Sequence, residues 1–482
     1  MSSSLKILMV ASEVFPFAKT GGLADVVGSL PPALKKLGHE IRVVLPKYTC
    51  TQSQSTQSLN LELETRVNRK KANLFEGKLP EDVPAYLVEY DEYFNREHLY
   101  GEPGSEYPDN VARFSFFCQA ALETCKAINF QPDLIHCNDW HTGLIPAYLK
   151  SIYSKDPWFS NTRTLFSIHN MGYQGNYSMD EFKTTGLPGS FAGPEGIEFY
   201  GQISFLKSGL VYSDFLNTVS PKYCQEIQTE GFGFGMEGIL QQRTDSLSGI
   251  LNGVDYSIWN PATDPFIAEN YGSLSQKTVC RNDLIKRFSL TIGKNTPLFC
   301  MITRLSGQKG IDLLIETSDY LKTQNLALLV LGEGESKYET FFKQLAESDP
   351  GRFATSHAFD DELAHQLFAG SDMFLMPSTY EPCGLTQMYA LKYGTVPLVS
   401  SVGGLDDSIQ TFDGNTGTGF KFLPNDKESF KNALKQAMTF FADKSLWEKV
   451  VNNGMSMDFS WDKAARQYSN LYHKINQIEL PH

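Results

Sequence analysis

Short apolar runs alternate with segments of helical period along this chain. The alternation stops once, near residue 260, and then starts again. A strand that leads through a helix to the next strand crosses over its own sheet, so this order specifies a parallel, doubly wound sheet with helices on both faces. In the first half, strands are predicted at 7–10, 41–45, 133–136, 165–168, 215–219 and 250–251. Leu23, Val26, Val27, Leu30 and Leu34 form one helical face after the first strand, with Pro31 and Pro32 expected to kink or shift it. The stretch from Asn260-Pro261 to Pro265 reads as a linker. Beyond it, strands are predicted at 298–303, 326–331, 373–376 and 396–399, and helices at 311–321, 362–369 and 385–393. An amphipathic tail after Phe459 is expected to be a helix. The chain's 482 residues exceed what one hydrophobic core organises, which agrees with two α/β domains in series.

Ligands of open α/β sheets bind beyond the C-terminal ends of the strands, so the loops that follow strands carry the functional information. The first such loop ends in Lys19-Thr20-Gly21-Gly22 and runs into Leu23-Ala24-Asp25. Paired glycines let a backbone approach a ligand, a helix N-terminus offers unpaired N–H groups, and Lys19 adds a point charge for phosphate. The spacing fits neither a dinucleotide fingerprint nor a P-loop, and a plain strand–helix turn with a solvated lysine is the competing reading. A second loop, Arg304-Leu305-Ser306-Gly307-Gln308-Lys309-Gly310, can converge a guanidinium fork and an ammonium on a diphosphate. A third, from Pro377 through Ser378 and Glu381 to Gly384-Leu385-Thr386, sets a carboxylate for sugar hydroxyls beside the start of a helix. Cys383 in that loop reads as a small packed group rather than a nucleophile.

Two further strand ends carry Asn138-Asp139-Trp140-His141 and His169-Asn170-Met171-Gly172-Tyr173-Gln174-Gly175. Paired donors and acceptors beside flat aromatic faces are what a carbohydrate demands. Gly233-Phe234-Gly235-Met236-Glu237-Gly238 matches G-x-G-x-x-G literally, but it follows a helical stretch and not a strand, so cofactor binding is not assigned to it. No His or carboxylate spacing suggests zinc.

The totals limit the partners. With 42 basic and 55 acidic residues the net charge is −13, which disfavours nucleic acid and anionic membranes but not a neutral polymer. No apolar run reaches the roughly 18 residues of a membrane span, and the first residues read as a strand rather than a signal peptide. Eight scattered cysteines with no C-x-x-C pair are expected to be thiols of a reducing compartment, the cytoplasm.

Together these loops resemble bacterial glycogen synthases and plant starch synthases, retaining enzymes of glycosyltransferase family five. The shared motifs run nearly end to end: K-T-G-G-L-A-D at 19–25, D-W-H-T at 139–142, H-N-x-x-Y-Q-G at 169–175, S-P-x-Y at 220–223, L-N-G-V-D at 251–255, R-L-x-x-Q-K-G at 304–310 and E-P-C-G-L-T-Q at 381–387. The resemblance implies a GT-B architecture, two Rossmann-like doubly wound domains facing across a cleft. Residues 1–258 would form an acceptor-side domain, 259–458 a nucleotide-sugar domain, and 459–482 a helix returning to the first. It implies transfer of glucose from ADP-glucose or UDP-glucose to the non-reducing 4-hydroxyl of an α-1,4-glucan such as glycogen, with retention of configuration and without metal or other cofactor. A homo-oligomer is compatible with it.

Carried over residue by residue, the resemblance gives catalytic roles to His169, Glu381, Arg304, Lys309 and Asp139. Donor binding falls to Lys19, Gly21, Gly22, Asp25, Asn252, Arg304, Lys309, Ser378, Gly384, Leu385 and Thr386, with Phe359 stacking on the base and Tyr93 near the donor. Front-face attack and a covalent intermediate both remain open. The chain departs from the family at Thr379, where an arginine is common, and at Ser400-Ser401, where the family places a basic residue ahead of its Gly-Gly. Two basic groups are therefore missing, and donor choice stays open. A nicotinamide oxidoreductase would need the glycine fingerprint after the first strand, and a phosphorylase a pyridoxal-binding lysine region in a longer chain. A catalytically inactive glucan-binding homologue is the remaining alternative, though Lys19, Arg304, Lys309, His169 and Glu381 are all present.

Overall fold

The computed structural model describes residues 4–102, 104–357 and 360–477. The chain forms two compact units: Met1–Val219, Cys224–Gly253 and Trp461–His482 make the first, Ser220–Tyr223 and Val254–Ser460 the second.

The first unit is built on a nine-stranded sheet. From one edge its strands are Leu247–Gly249, Phe215–Thr218, Arg163–Ile168, Leu134–Asn138, Lys6–Val10, Glu40–Pro46 and Val83–Glu89, all parallel. Lys71–Leu79 and Gln57–Glu64 extend it as antiparallel strands. In the central strand Lys6–Val10 the four residues after Lys6 are apolar without alternation because both faces are covered. The helix Gly22–Lys36 runs unbroken through Pro31 and Pro32, contrary to the expected kink; the two prolines only deprive Val27 and Gly28 of intrahelical donors. The helix Trp461–Asn476 belongs to this unit. Trp461, Ala464, Ala465, Tyr468, Leu471, Tyr472 and Ile475 recur at helical spacing and fill the same core as Val26, Leu30 and Leu34. Beneath the sheet, Tyr472 OH bonds His136 Nδ1 at 2.8 Å, His136 Nε2 meets Ser167 Oγ at 2.6 Å, and Asn217 Nδ2 donates to Tyr468 OH at 3.0 Å.

The second unit has a six-stranded, fully parallel sheet, ordered Phe353–Ser356, Ala327–Leu331, Leu298–Ile302, Met373–Met376, Val396–Ser400 and Phe420–Phe422. The predicted single helix over 311–321 is two, Ile311–Glu316 and Ser318–Thr323, because Thr317 turns its hydroxyl back onto Leu313 O at 2.6 Å and leaves helical geometry at φ −109°, ψ 9°. The strand expected at 250–251 lies at Leu247–Gly249. Among the described residues no helix is long and apolar enough to cross a membrane.

In both sheets the crossover direction reverses beside the first strand of the unit, between Lys6–Val10 and Leu134–Asn138 and between Leu298–Ile302 and Met373–Met376. At the second reversal the two loops touch. Thr379 N donates to Gln308 O at 2.9 Å, and a Cβ on Gly310, at φ +68°, would lie 1.8 Å from Pro377 O. Gly310→Ala is therefore expected to lower stability by about 2 kcal/mol or more. A urea midpoint equal to the parent's would show that this approach is not constrained.

Candidate active site

At the reversal of the first sheet, residue Glu13 follows strand Lys6–Val10 and is 4% exposed. Its carboxylate accepts from Thr20 N at 2.5 Å, Thr20 Oγ1 at 2.6 Å, Gly21 N at 3.1 Å and Tyr100 OH at 2.5 Å. Tyr100 points its O–H at Glu13, so Ser12 Oγ donates to the phenol oxygen, 2.8 Å away. Burial, with the charge of Glu13 adding to it, pushes the Tyr100 phenol well up. One buried carboxylate thus shapes the loop that presents Lys19. Lys19 Nζ reaches Asp25 Oδ1 at 2.8 Å in an exposed pair, which contributes little to stability. No protein atom lies within 4 Å of a Cβ built on Gly21 or Gly22, so the protein itself does not demand glycine there; close backbone approach by a ligand would. Lys19, Thr20, Glu97, His98 and Tyr100 line a cavity of about 550 Å³.

The neighbouring strand delivers Asp139, 7% exposed and held at φ +56°, an unfavourable backbone for a residue with a side chain. Its Oδ1 accepts from His169 N at 2.7 Å. Burial raises the carboxyl to about 7, against the His169 and Asn170 N–H groups that favour the anion and with the charge of Glu13 adding to the rise. His169 is partly exposed, and desolvation lowers its imidazole to about 4, so it is neutral at pH 7. Asn138 Nδ2 donates to Val10 O and His136 O, which turns its Oδ1 toward His169 Nε2 at 2.9 Å. Nε2 therefore carries the proton and Nδ1 is the acceptor. Asn252 is 7% exposed, and its Oδ1 is buried without a hydrogen-bond partner among the described residues.

At the reversal of the second sheet, Lys309 Nζ meets Glu381 Oε2 at 2.6 Å, and Ser378 Oγ donates to the same oxygen at 3.0 Å. Both bonds land on Oε2, which leaves the lone pairs of Glu381 Oε1 to other donors. The pair is nearly buried, with side-chain exposures of 13% and 9%. Burying two charges in this way is weak support for stability, so chemistry is the better reason for the pair. Arg304 stands exposed at the start of the same loop, with no ion-pair partner among the described residues. Gly384 takes φ +68°, where a side chain is strained and a Cβ would meet Gln387 Oε1 at 2.4 Å. Leu385 caps the helix Thr386–Lys392, and Thr386 Oγ1 reaches Met376 Sδ at 3.6 Å. Gly404 N donates to Glu381 O at 3.1 Å, so the 403–404 turn braces the glutamate.

Each unit therefore assembles its own part of the predicted set. Lys19, Gly21, Gly22, Asp25, Asp139, His169 and Asn252 lie in the first, and Arg304, Lys309, Ser378, Glu381, Gly384, Leu385 and Thr386 in the second. Phe359 lies outside the described residues. Tyr93 packs with Tyr90, Phe94 and Phe116, and its carbonyl accepts from Arg113. Tyr100 is the aromatic that faces the Lys19 loop. Glu13 and Tyr100 received no role from the sequence; an acidic residue directly after a buried strand was the available signal. Among the described residues no group of three or more His, Cys, Asp or Glu is placed to hold a metal ion.

A family model for the starch synthase catalytic domain matches residues 6–242, and one for glycosyl transferases group 1 matches 282–454. The chain is 43% identical to a glycogen synthase of Koribacter versatilis, over 99% of each protein. It is 42% identical to the glycogen synthase of Thermotoga maritima, over 98% of this chain and 99% of that one. The catalytic domain of starch synthase IV from Arabidopsis thaliana, bound to ADP and acarbose, superposes with a TM-score of 0.90 at 32% identity, covering 99% of this chain and 100% of that one. A sucrose-phosphate synthase from Thermosynechococcus elongatus, at 17% identity and TM-score 0.61 over 98% of this chain and 99% of that one, shares the fold. Fold and motifs together define a glycosyltransferase of the GT-B type, with two Rossmann-like domains. Within that class the chain belongs to the glycogen synthase family.

The raised carboxyl of Asp139 has a thermodynamic consequence. The folded chain holds this proton up to about pH 7, whereas an unfolded aspartate releases it near pH 4. Between those values the folded state binds more protons, so the contribution of Asp139 to stability falls as pH rises. Asp139→Asn removes that penalty. The difference in Tm between variant and parent is expected to grow, in the variant's favour, by roughly 3 °C or more from pH 5 to pH 8. A difference independent of pH would mean that Asp139 ionises normally.

Proposed function

We propose that the chain transfers glucose from ADP-glucose to the non-reducing-end 4-hydroxyl of an α-1,4-glucan, with retention of configuration. The observation that carries this reading is the Lys309–Glu381 pair at the reversal of the second sheet, with Arg304 on the same loop. As the bond from C1 to the diphosphate breaks, negative charge grows on the leaving group. Arg304 and Lys309 meet that charge, Lys19 and the N–H groups of its loop serve the same end, and the reading needs no metal. Glu381 Oε1 accepts hydroxyls of the transferred sugar, and His169 Nδ1 accepts another. Asp139 orients the His169 backbone through the bond to its N–H.

We favour front-face attack, in which the departing phosphate oxygen takes the proton of the acceptor hydroxyl. Two features support it over a covalent intermediate. Asp139, raised to about 7, holds its proton in roughly half the molecules at pH 7, and Glu381 is tied by two bonds to Lys309 and Ser378, which makes both poor nucleophiles. ADP-glucose is favoured over UDP-glucose because the 32%-identical starch synthase binds ADP. The eight cysteines without paired spacing support a cytoplasmic setting.

Purified protein incubated with glycogen and either sugar nucleotide should release nucleotide and lengthen the polymer, about tenfold or more faster with ADP-glucose. Absence of transfer from both donors would sink the reading. Lys309→Ala should lose about 100-fold or more in kcat/KM. Lys19→Ala should raise the donor KM by about tenfold while glycogen binding stays within about twofold. Equal loss of both would make Lys19 a structural residue.

A further inference from the structure

The motif Ser220-Pro221-Lys222-Tyr223 received no role in the site above. It belongs to the second unit, although Val219 and Cys224 on either side belong to the first. Ser220 and Tyr223 are both fully buried. Ser220 stands just before the helix Pro221–Glu226, and its Oγ accepts from Tyr223 N at 2.9 Å in the manner of an N-cap. The same hydroxyl donates to Asp407 Oδ2 at 2.7 Å, and Lys222 N donates to that oxygen at 2.7 Å. A carboxylate from a distant part of the chain thus completes the cap. At the other end of the motif, the hydroxyls of Tyr223 and Tyr380 bond each other, with the two rings edge to face at 5.5 Å.

Both attachments bear on Glu381. Tyr380 is its neighbour in the chain and is itself buried. Asp407 lies on the helix Gly403–Ser408, whose Gly404 N donates to Glu381 O at 3.1 Å and to Pro382 O at 3.2 Å. That helix lies so close that a Cβ on Gly403 would be 2.0 Å from Glu381 O, and one on Gly404 2.0 Å from Cys383 O. Tyr380 O also accepts from Gln308 Nε2 at 3.0 Å, which ties the same residue to the Lys309 loop. The carboxylate of Glu381 is held by Lys309 and Ser378 through Oε2, so the direction of Oε1 depends on where the backbone of Glu381 stands. Apolar packing tolerates small rotations, whereas a buried hydrogen bond is directional and specifies one arrangement.

We infer that Ser220–Tyr223 braces the Glu381 loop, and that Tyr223, through its bond to Tyr380, is a positioning residue for Glu381 Oε1 in glucosyl transfer. Tyr223 acts one residue away from the carboxylate and not on the substrate. The Asp407 cap holds the other side, through the helix that rests on the Glu381 carbonyl. The loop is thereby set from its chain neighbour and from the turn above it. Displacing a reacting or positioning group by about 1 Å costs on the order of 100-fold in rate, so a small loosening here is read in kcat. The inference rests on the role proposed above for Glu381.

The test uses the full chain with glycogen and ADP-glucose, in Tyr223→Phe, Tyr380→Phe, the double variant, Glu381→Gln, and Glu381→Gln with Tyr223→Phe. Each tyrosine variant is expected to lose about tenfold in kcat while both KM values hold within about twofold. The double variant should be no more than about twofold slower than either single one, because the two remove the same bond. In the Glu381→Gln background, Tyr223→Phe should cost less than about twofold, since the group it positions is already gone. Amide hydrogen exchange over residues 377–386 should speed about tenfold in Tyr223→Phe, with the sheet of the first unit unchanged. Parental kcat in Tyr223→Phe, or unchanged exchange over 377–386, would overturn the inference. So would a tenfold loss that persists in the Glu381→Gln background, which would make Tyr223 a structural residue with no path through Glu381. A Glu381→Gln variant as fast as the parent defeats the role given to Glu381; a slow Glu381→Gln beside a parental Tyr223→Phe defeats the brace alone.

Discussion

A parallel strand cannot turn directly into its neighbour; it must cross over, and the side to which it crosses decides where room is left. In each unit the crossovers depart in opposite directions from one central strand, Lys6–Val10 in the first and Leu298–Ile302 in the second. The loops that leave the two strands flanking each reversal part from one another at the same edge of the sheet. Every residue of chemical interest in the second unit, from Arg304 to Thr386, sits on such loops. In the first, the same holds for Glu13, Lys19 and Asp139, while His169 and Asn252 come from strand ends further along the same edge.

Electrostatics then sort these residues by burial. Three buried groups in the first unit are kept from charging: Asp139 holds its proton toward neutrality, and His169 and His136 lose theirs. Glu13 is buried beside them with four hydrogen-bond donors on its carboxyl group. At the strand ends of the second unit stand the nearly buried Lys309–Glu381 ion pair and Arg304, which is exposed to solvent. Neutral acceptors suit sugar hydroxyls, and retained cations suit a diphosphate. The family departures at Thr379 and Ser400 fit this economy of charge. Thr379 spends its N–H and hydroxyl on Gln308 O, holding the Lys309 loop against the Glu381 loop.

The sequence made the parallel cores legible because doubly covered strands carry unbroken apolar runs, as in residues 7–10. The hairpin partners were not: Gln57–Glu64 and Lys71–Leu79 mix charged residues into an edge that faces water, so no apolar run marks them. Loop motifs placed Lys19, Arg304, Lys309 and Glu381 on strand ends because spacing within one loop is a local property. Glu13 and Tyr100 escaped because their bond joins residues 87 positions apart.

The tyrosines of the helix Trp461–Asn476 bear on how the molecule comes to be made. Tyr472 and Tyr468 are the partners of His136 and Asn217, and their helix supplies one wall of the first core. A ribosome releases these residues only after the whole second unit has emerged. Until then the first unit lacks one wall of its core, and His136 and Asn217 each lack one of their partners. The half of the protein that is synthesised first is thus the half completed last, and its order of birth and its order of maturation run in opposite directions.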